Sequence, residues 1–293
     1  MLKHLASGFA ALALLAACDD QAAPSPEPTT YPALWEIARE DGAVEGWLFG
    51  TVHALPDDIT WRSPRLDQVI EGADMLVVEV GDLGDGAKLS ALFEGMAYDR
   101  PEGPIRARIR EDLRDEFDEL LVRAKVRRSY FDPMESWAAA LARAQVAQDG
   151  QSDNGADRAL IEAFEGRDLI ELEGARAQLA IFDSLPRAEQ RDLLNAVLEE
   201  AATHGRDPGR LARLWREGDT DELQQLTQSG MLSDPELRQA LLIDRNTAWA
   251  ARIENLLSAR DRPLIAVGAG HLLGDDGLPA LLQANGYVVT RVE

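Results

Sequence analysis

Two apolar runs at opposite ends of the chain, GWLFG at 46–50 and PLIAVG at 263–268, each close on a glycine that is followed three positions later by a histidine, His53 and His271. Short apolar runs bounded by turn residues read as buried strands. A buried strand must hydrogen-bond its backbone to a neighbour, so strands this far apart in sequence are most simply satisfied by sharing one sheet. A third run, DMLVVEVGD at 74–82, carries Glu79 and has the continuous apolar character of a strand covered on both faces. RDLIELEG near residue 170 and YVVTRV at 287–292 are further strands, and nearly everything between them has helical spacing. The expected fold class is therefore α/β (α+β), with a central sheet formed by N- and C-terminal strands and a large helical middle region packed around it.

Local signals sharpen this outline. Asp41-Gly42 between ALWEIARE and VEGWLFGTV predicts a hairpin. Ser63 followed by Pro64, with apolar residues at 66, 69 and 70, predicts a capped helix. Asp132 before Pro133 predicts another helix start, and PELRQALLIDRNTAWAARIENLLS, 235–258, reads as one long helix. No repeat of fixed period is present.

The topology makes the two Gly-x-x-His segments neighbours. A glycine at a strand's end lets the chain turn sharply, and histidines just beyond it lie at the carboxyl edge of the sheet, where open α/β sheets bind ligands. His53 and His271 with Glu79 would make a two-histidine, one-carboxylate set for a divalent transition metal, Mn, Co, Zn or Fe, leaving positions for water and substrate. Glu79 follows four apolar residues, so burial obliges it to find a cation or several donors. A buried arginine would serve as well as a metal, with Arg245 the leading candidate. The chain has four histidines; His4 precedes the domain, and His204 in AATHGRDPG reads as a solvated loop residue.

Nucleophilic routes find little support. There is no Gly-x-Ser-x-Gly elbow, P-loop or dinucleotide fingerprint. GDLGDG at 81–86 reads as a turn. The formal charge of -22 repels phosphate backbones, so nucleic acid is not an expected partner, and a membrane contact would need an anchor other than a basic patch.

The N-terminus suggests that anchor. Residues 1–17 have a basic start and an apolar stretch from Leu5 to Ala17, the layout of a signal peptide. Leu15-Ala16-Ala17-Cys18 resembles the lipobox of bacterial lipoproteins, and Cys18 is the single cysteine. Residues 18–31, rich in Pro and Ala, read as a tether that leaves residues 32–293 as the folded domain. The expected location is the bacterial cell envelope, lipid-anchored and facing the periplasm.

Taken in order, PALWEI, GWLFGTVHALP, ADMLVVEV, the GAD of 155–157, LIELEGARAQLAIFDSLP, the RN of 245–246 and VGAGHLLGDDGLPALLQANGYVV resemble the TraB/GumN family, related to the Tiki membrane proteases. The resemblance implies an α/β domain built around Gly50, His53, Glu79, Gly268 and His271, with Arg245 and Asn246 in an arginine-asparagine motif. Gly174 stands where the family commonly has Thr. Tiki relatives are metal-dependent peptidases, and others of the wider superfamily hydrolyse esters.

The expected function is a metal-dependent hydrolase, a peptidase first of all. His53 and His271 would ligate, Glu79 would ligate or act as general base, and Arg245 and Asn246 would stabilise the oxyanion. Its partners would be a peptide or small-molecule substrate and, through lipid, the membrane. Two alternatives use the same residues: a non-catalytic envelope lipoprotein that sequesters a peptide signal or metal ion, and a structural protein in which the histidines only pack.

Overall fold

The structure, a computed structural model, describes residues 30–293 except 58, 101, 148–149, 205–206, 208 and 260. The signal peptide, Cys18 and nearly all of the tether lie outside the described residues.

Six strands form one mixed sheet in the order β4-β3-β5-β2-β1-β6: β1 Leu34–Ala38, β2 Val44–Thr51, β3 Met75–Val78, β4 Asp168–Glu171, β5 Pro263–Gly268 and β6 Val288–Arg291. β1 and β2 form the expected antiparallel hairpin, with Gly42 in its turn at φ 83. The N-terminal β2 and C-terminal β5 are parallel neighbours, pairing Gly50 with Val267 and Thr51 with Gly268. β3 is parallel to both β5 and β4. The carboxyl ends of β2, β3, β4 and β5 therefore open on one edge of the sheet.

Alternation of side chains along the strands builds two layers of core. Leu34, Trp47, Phe49, Leu76, Val78, Leu264 and Ala266 face the helices Pro64–Gly72, Ala156–Ala163 and Arg210–Glu217. Ile37, Leu48, Val77, Ile265 and Val267 face Trp249, Ile253 and Leu257 of the helix Asp244–Ser258, and Leu278 and Leu282 of the helix Leu278–Ala284. The middle of the chain adds a separate helical core in which Trp137, Ala140, Leu193, Leu194 and Leu198 join the helices Ser136–Ala147 and Arg187–His204.

Ser63 caps the helix Pro64–Gly72 as expected, its Oγ accepting from Leu66 N at 2.9 Å. Asp132-Pro133 does not begin a helix: Asp132 accepts from the backbone N–H of Ile105, and the helix starts at Ser136. The stretch 235–258 is interrupted by a π-helical turn, Gln239–Ile243, directly before Arg245 and Asn246. Such turns add a residue to the helical ladder and re-aim the side chains that follow, and they recur at functional sites.

Candidate functional site

The strand ends place the site. His53 stands two residues beyond β2, Glu79 one beyond β3, Glu173 two beyond β4, and Gly268 and His271 at and just past the end of β5. Gly50 keeps β2 close to the second motif, since a Cβ there would sit 3.1 Å from the Cα of Ala269. Its carbonyl accepts from Trp215 Nε1 at 2.7 Å, in a cluster with Phe49 and Trp61.

His53 and Asp157 form a dyad. Asp157, buried in the first turn of the helix Ala156–Ala163, holds His53 Nδ1 at 2.8 Å with Oδ2 and accepts from Thr51 Oγ1 at 2.6 Å with Oδ1. The hydrogen bond to Asp157, and then its charge, raise the His53 pKa to about 9. With 62% of the side chain exposed, water screens part of that attraction. Nε2 has no protein partner among the described residues, and His53 lines a cleft of about 220 Å³ together with Glu79, Ser152, Asp157, Arg158 and Gln178.

Glu79 is buried and accepts three hydrogen bonds. Oε1 accepts from Gly268 N at 2.7 Å; Oε2 accepts from Arg245 Nη2 at 2.8 Å and Gln178 Nε2 at 2.9 Å. Burial alone would drive the acid neutral, but the charges of its neighbours and the Gly268 N–H hold its pKa down at about 2. His271 is pushed by burial to about 4 and is neutral at physiological pH, so there Arg245, the cationic His53 and the N–H donors keep Glu79 ionised.

Arg245 and Asn246 are equally committed. Arg245 Nε and Nη2 fork onto Glu173 at 2.9 and 3.0 Å, Nη2 also reaches Glu79, and Nη1 reaches the Leu241 carbonyl at 3.2 Å and His271 Nε2 at 3.1 Å. Those contacts use all five guanidinium N–H groups. Asn246 donates to the carbonyls of His271 and Asp276, and its Oδ1 takes the Nδ1–H of His271 at 2.6 Å. In this arrangement no donor is left on either residue for an oxyanion.

The two Gly-x-x-His motifs thus meet, but their histidines differ. His53 opens on the cleft; His271 packs its ring 4.4 Å from that of Trp249 behind Glu79. Because Asn246 fixes the proton on His271 Nδ1, Nε2 is the acceptor, and Arg245 fills it. His53, Glu79 and His271 are not among the described groups whose donor atoms gather within 4.8 Å; the one such trio is Glu189, Asp234 and Glu236 on another part of the surface. As arranged, the three residues do not gather their donor atoms for one ion, and Arg245 already occupies His271 Nε2 and shares Oε2 of Glu79.

Sequence reasoning did not assign roles to Thr51, Asp157 or Gln178. Asp157 was within reach, as the acid of the GAD triplet at the start of a helix. Glu173, beside the departure at Gly174, belongs to the Arg245 network. Gly174 itself has φ 81, a conformation that disfavours the Thr common in the family. His204 ends the helix Arg187–His204 rather than lying in a loop.

The profile of the TraB/PrgY/gumN family matches residues 33–291, spanning every strand described above. The chain belongs to the TraB/PrgY/gumN family. Curated relatives include the Uncharacterized protein YbaP of Shigella flexneri, 27% identical over 262 residues that cover 87% of this chain and 93% of the relative. The protein of the same name from Escherichia coli (strain K12) is 27% identical over 244 residues, 80% of this chain and 87% of its own. No solved structure matches. Among the described residues, no helix is long and apolar enough to cross a membrane.

Proposed function

We propose that this TraB/PrgY/gumN member is a hydrolase of peptide bonds, tethered to the cell envelope through Cys18, whose proton-transfer group is His53. The observation that carries the reading is the Thr51–Asp157–His53 chain of hydrogen bonds, which orients an imidazole whose Nε2 is open at a cleft. In its neutral form, His53 takes a proton from water as the oxygen attacks the carbonyl carbon. The resulting imidazolium, stabilised by Asp157, returns the proton to the leaving amine as the C–N bond breaks. Arg158 and the second Nε2–H of Gln178, both at the cleft, are the donors available to the developing oxyanion. The choice of a peptide rests on the resemblance to Tiki proteases.

A screen of fluorogenic peptides and esters with the purified protein tests this. Cleavage should fall by at least about 100-fold in His53→Ala, as expected for loss of a general base. Undiminished cleavage by that variant would remove the dyad from the chemistry. The lipid tether is tested separately, by whether Cys18→Ala releases the protein from membranes.

One observation favours the binding alternative. With a pKa of about 9, His53 is cationic at neutral pH and shares the cleft with Arg158, a pairing that would hold an anionic group of a peptide. Peptide binding that depends on His53 and Arg158 without turnover of any bond in the screen would select that reading.

A further inference from the structure

We infer that the guanidinium of Arg245 is the resident cation of this centre and stands where the family resemblance leads one to expect a metal ion. Four acceptor atoms from three side chains converge on it: Glu79 Oε2 at 2.8 Å, Glu173 Oε1 and Oε2 at 2.9 and 3.0 Å, and His271 Nε2 at 3.1 Å. Two carboxylates and an imidazole are donor types of a metal site, but here their atoms are spread around the guanidinium and are not among the described groups gathered within 4.8 Å as one ion would need. The space between them is occupied by a group of the chain itself.

The guanidinium is fixed by more than its charge partners. Its central carbon lies 4.6 Å from the ring centroid of Trp249, and Nη1 also donates to the carbonyl of Leu241, one turn earlier. The π-helical turn Gln239–Ile243 delivers it to this position, and Asn246 sets the His271 tautomer that accepts from it. An ion entering the same point would have to displace Arg245 from every one of these contacts, leaving a buried guanidinium beside a dication. The Coulomb cost of that arrangement is steep where water is excluded.

The inference concerns the same site as the proposed hydrolase, but its test does not need a substrate. The purified protein, incubated in turn with Mn, Co, Zn and Fe(II) and then desalted, is assayed for bound metal by plasma mass spectrometry. The expected result is a substoichiometric content for every ion. In Arg245→Ala, the acceptors of Glu79, Glu173 and His271 surround an emptied space. That variant should have its Tm raised by added guanidinium at millimolar concentration, and by none of the four ions to the same extent. A stoichiometric ion in the wild-type protein that is lost in His271→Ala would overturn the inference, whether or not Arg245→Ala folds. So would a folded Arg245→Ala indifferent to guanidinium. If peptidase activity is found, chelators should leave it unchanged; if none is found, the metal content still decides.

Discussion

Asp157 Oδ2 lies 2.8 Å from Nδ1 of His53, and the carboxylate's other oxygen is held by Thr51, so the imidazole is both oriented and made more basic by one buried acid. The neutral form able to accept a proton from water accumulates only as pH rises towards about 9. The pH profile of kcat/KM should therefore climb from neutrality with a limb near that value. In Asp157→Asn the limb should fall towards the ordinary value of 6.5 and the plateau should drop by about 100- to 10,000-fold, as the tautomer and the charge support are lost together. An unmoved limb in the variant would assign the titration to another group.

Gly155, at the start of the helix that carries Asp157, is a steric test of the same dyad. A Cβ at this position would stand 2.4 Å from the carbonyl oxygen of His53 and 2.9 Å from its carbonyl carbon. Its φ of -57 is open to any residue, so the cost of Gly155→Ala is the collision alone. The His53 backbone must shift, at about 1–3 kcal/mol of stability as in an overpacked core. Catalysis should fall more steeply than stability, because Asp157 and His53 are no longer in register. Denaturant unfolding and kcat measured on the same preparation separate the two effects.

The buried ion network should show strong coupling. Arg245→Met leaves Glu79 and Glu173 without their shared cation and is expected to cost about 3–5 kcal/mol. Glu79→Gln removes one of those stranded charges, so the double variant should be less destabilised than the sum of the singles by about 1–3 kcal/mol. Additive losses in urea unfolding would mean that Arg245 and Glu79 do not interact in solution.

The sheet was legible because its signals are local: apolar runs, Asp41-Gly42, Ser63-Pro64, and glycines closing β2 and β5. Long-range pairing followed from the need of buried strands for partners. The site was legible only as a set of residue types. Burial of Glu79 after an apolar run announced that a partner was needed, but the choice between a metal and Arg245 depends on a π-helical turn at 239–243 that has no residue signature. Asp132-Pro133 misled because its acid satisfies Ile105 N–H instead of a helix end. Asp157 carried no local sign of its partner, since the distance from His53 is 104 residues in sequence and one hydrogen bond in space.

Acid should unfold the domain through two buried groups acting in the same direction. His271 is neutral in the fold, with its pKa pushed down to about 4 from 6.5, so between those values the unfolded chain binds the extra proton and stability is lost as pH falls. Glu79 is held at about 2 against 4.5, so its contribution is complete above the unfolded value and is lost as pH falls from 4.5 through 2. Each shift is on the order of 3 kcal/mol when fully expressed. The raised pKa of His53 acts in the opposite sense, adding stability at low pH that fades as pH rises through about 9, but the exposure of that side chain keeps the effect small. Urea midpoints followed from pH 8 downward should therefore decline from about pH 6.5 and steepen below about 4.5. In His271→Gln, which cannot titrate, the first decline should vanish and the second should shrink, since the charge on His271 is the largest influence holding Glu79 down; in Glu79→Gln the second should vanish. A wild-type midpoint that stays level between 6.5 and 4 would show that His271 is not the neutral, Arg245-facing acceptor described above.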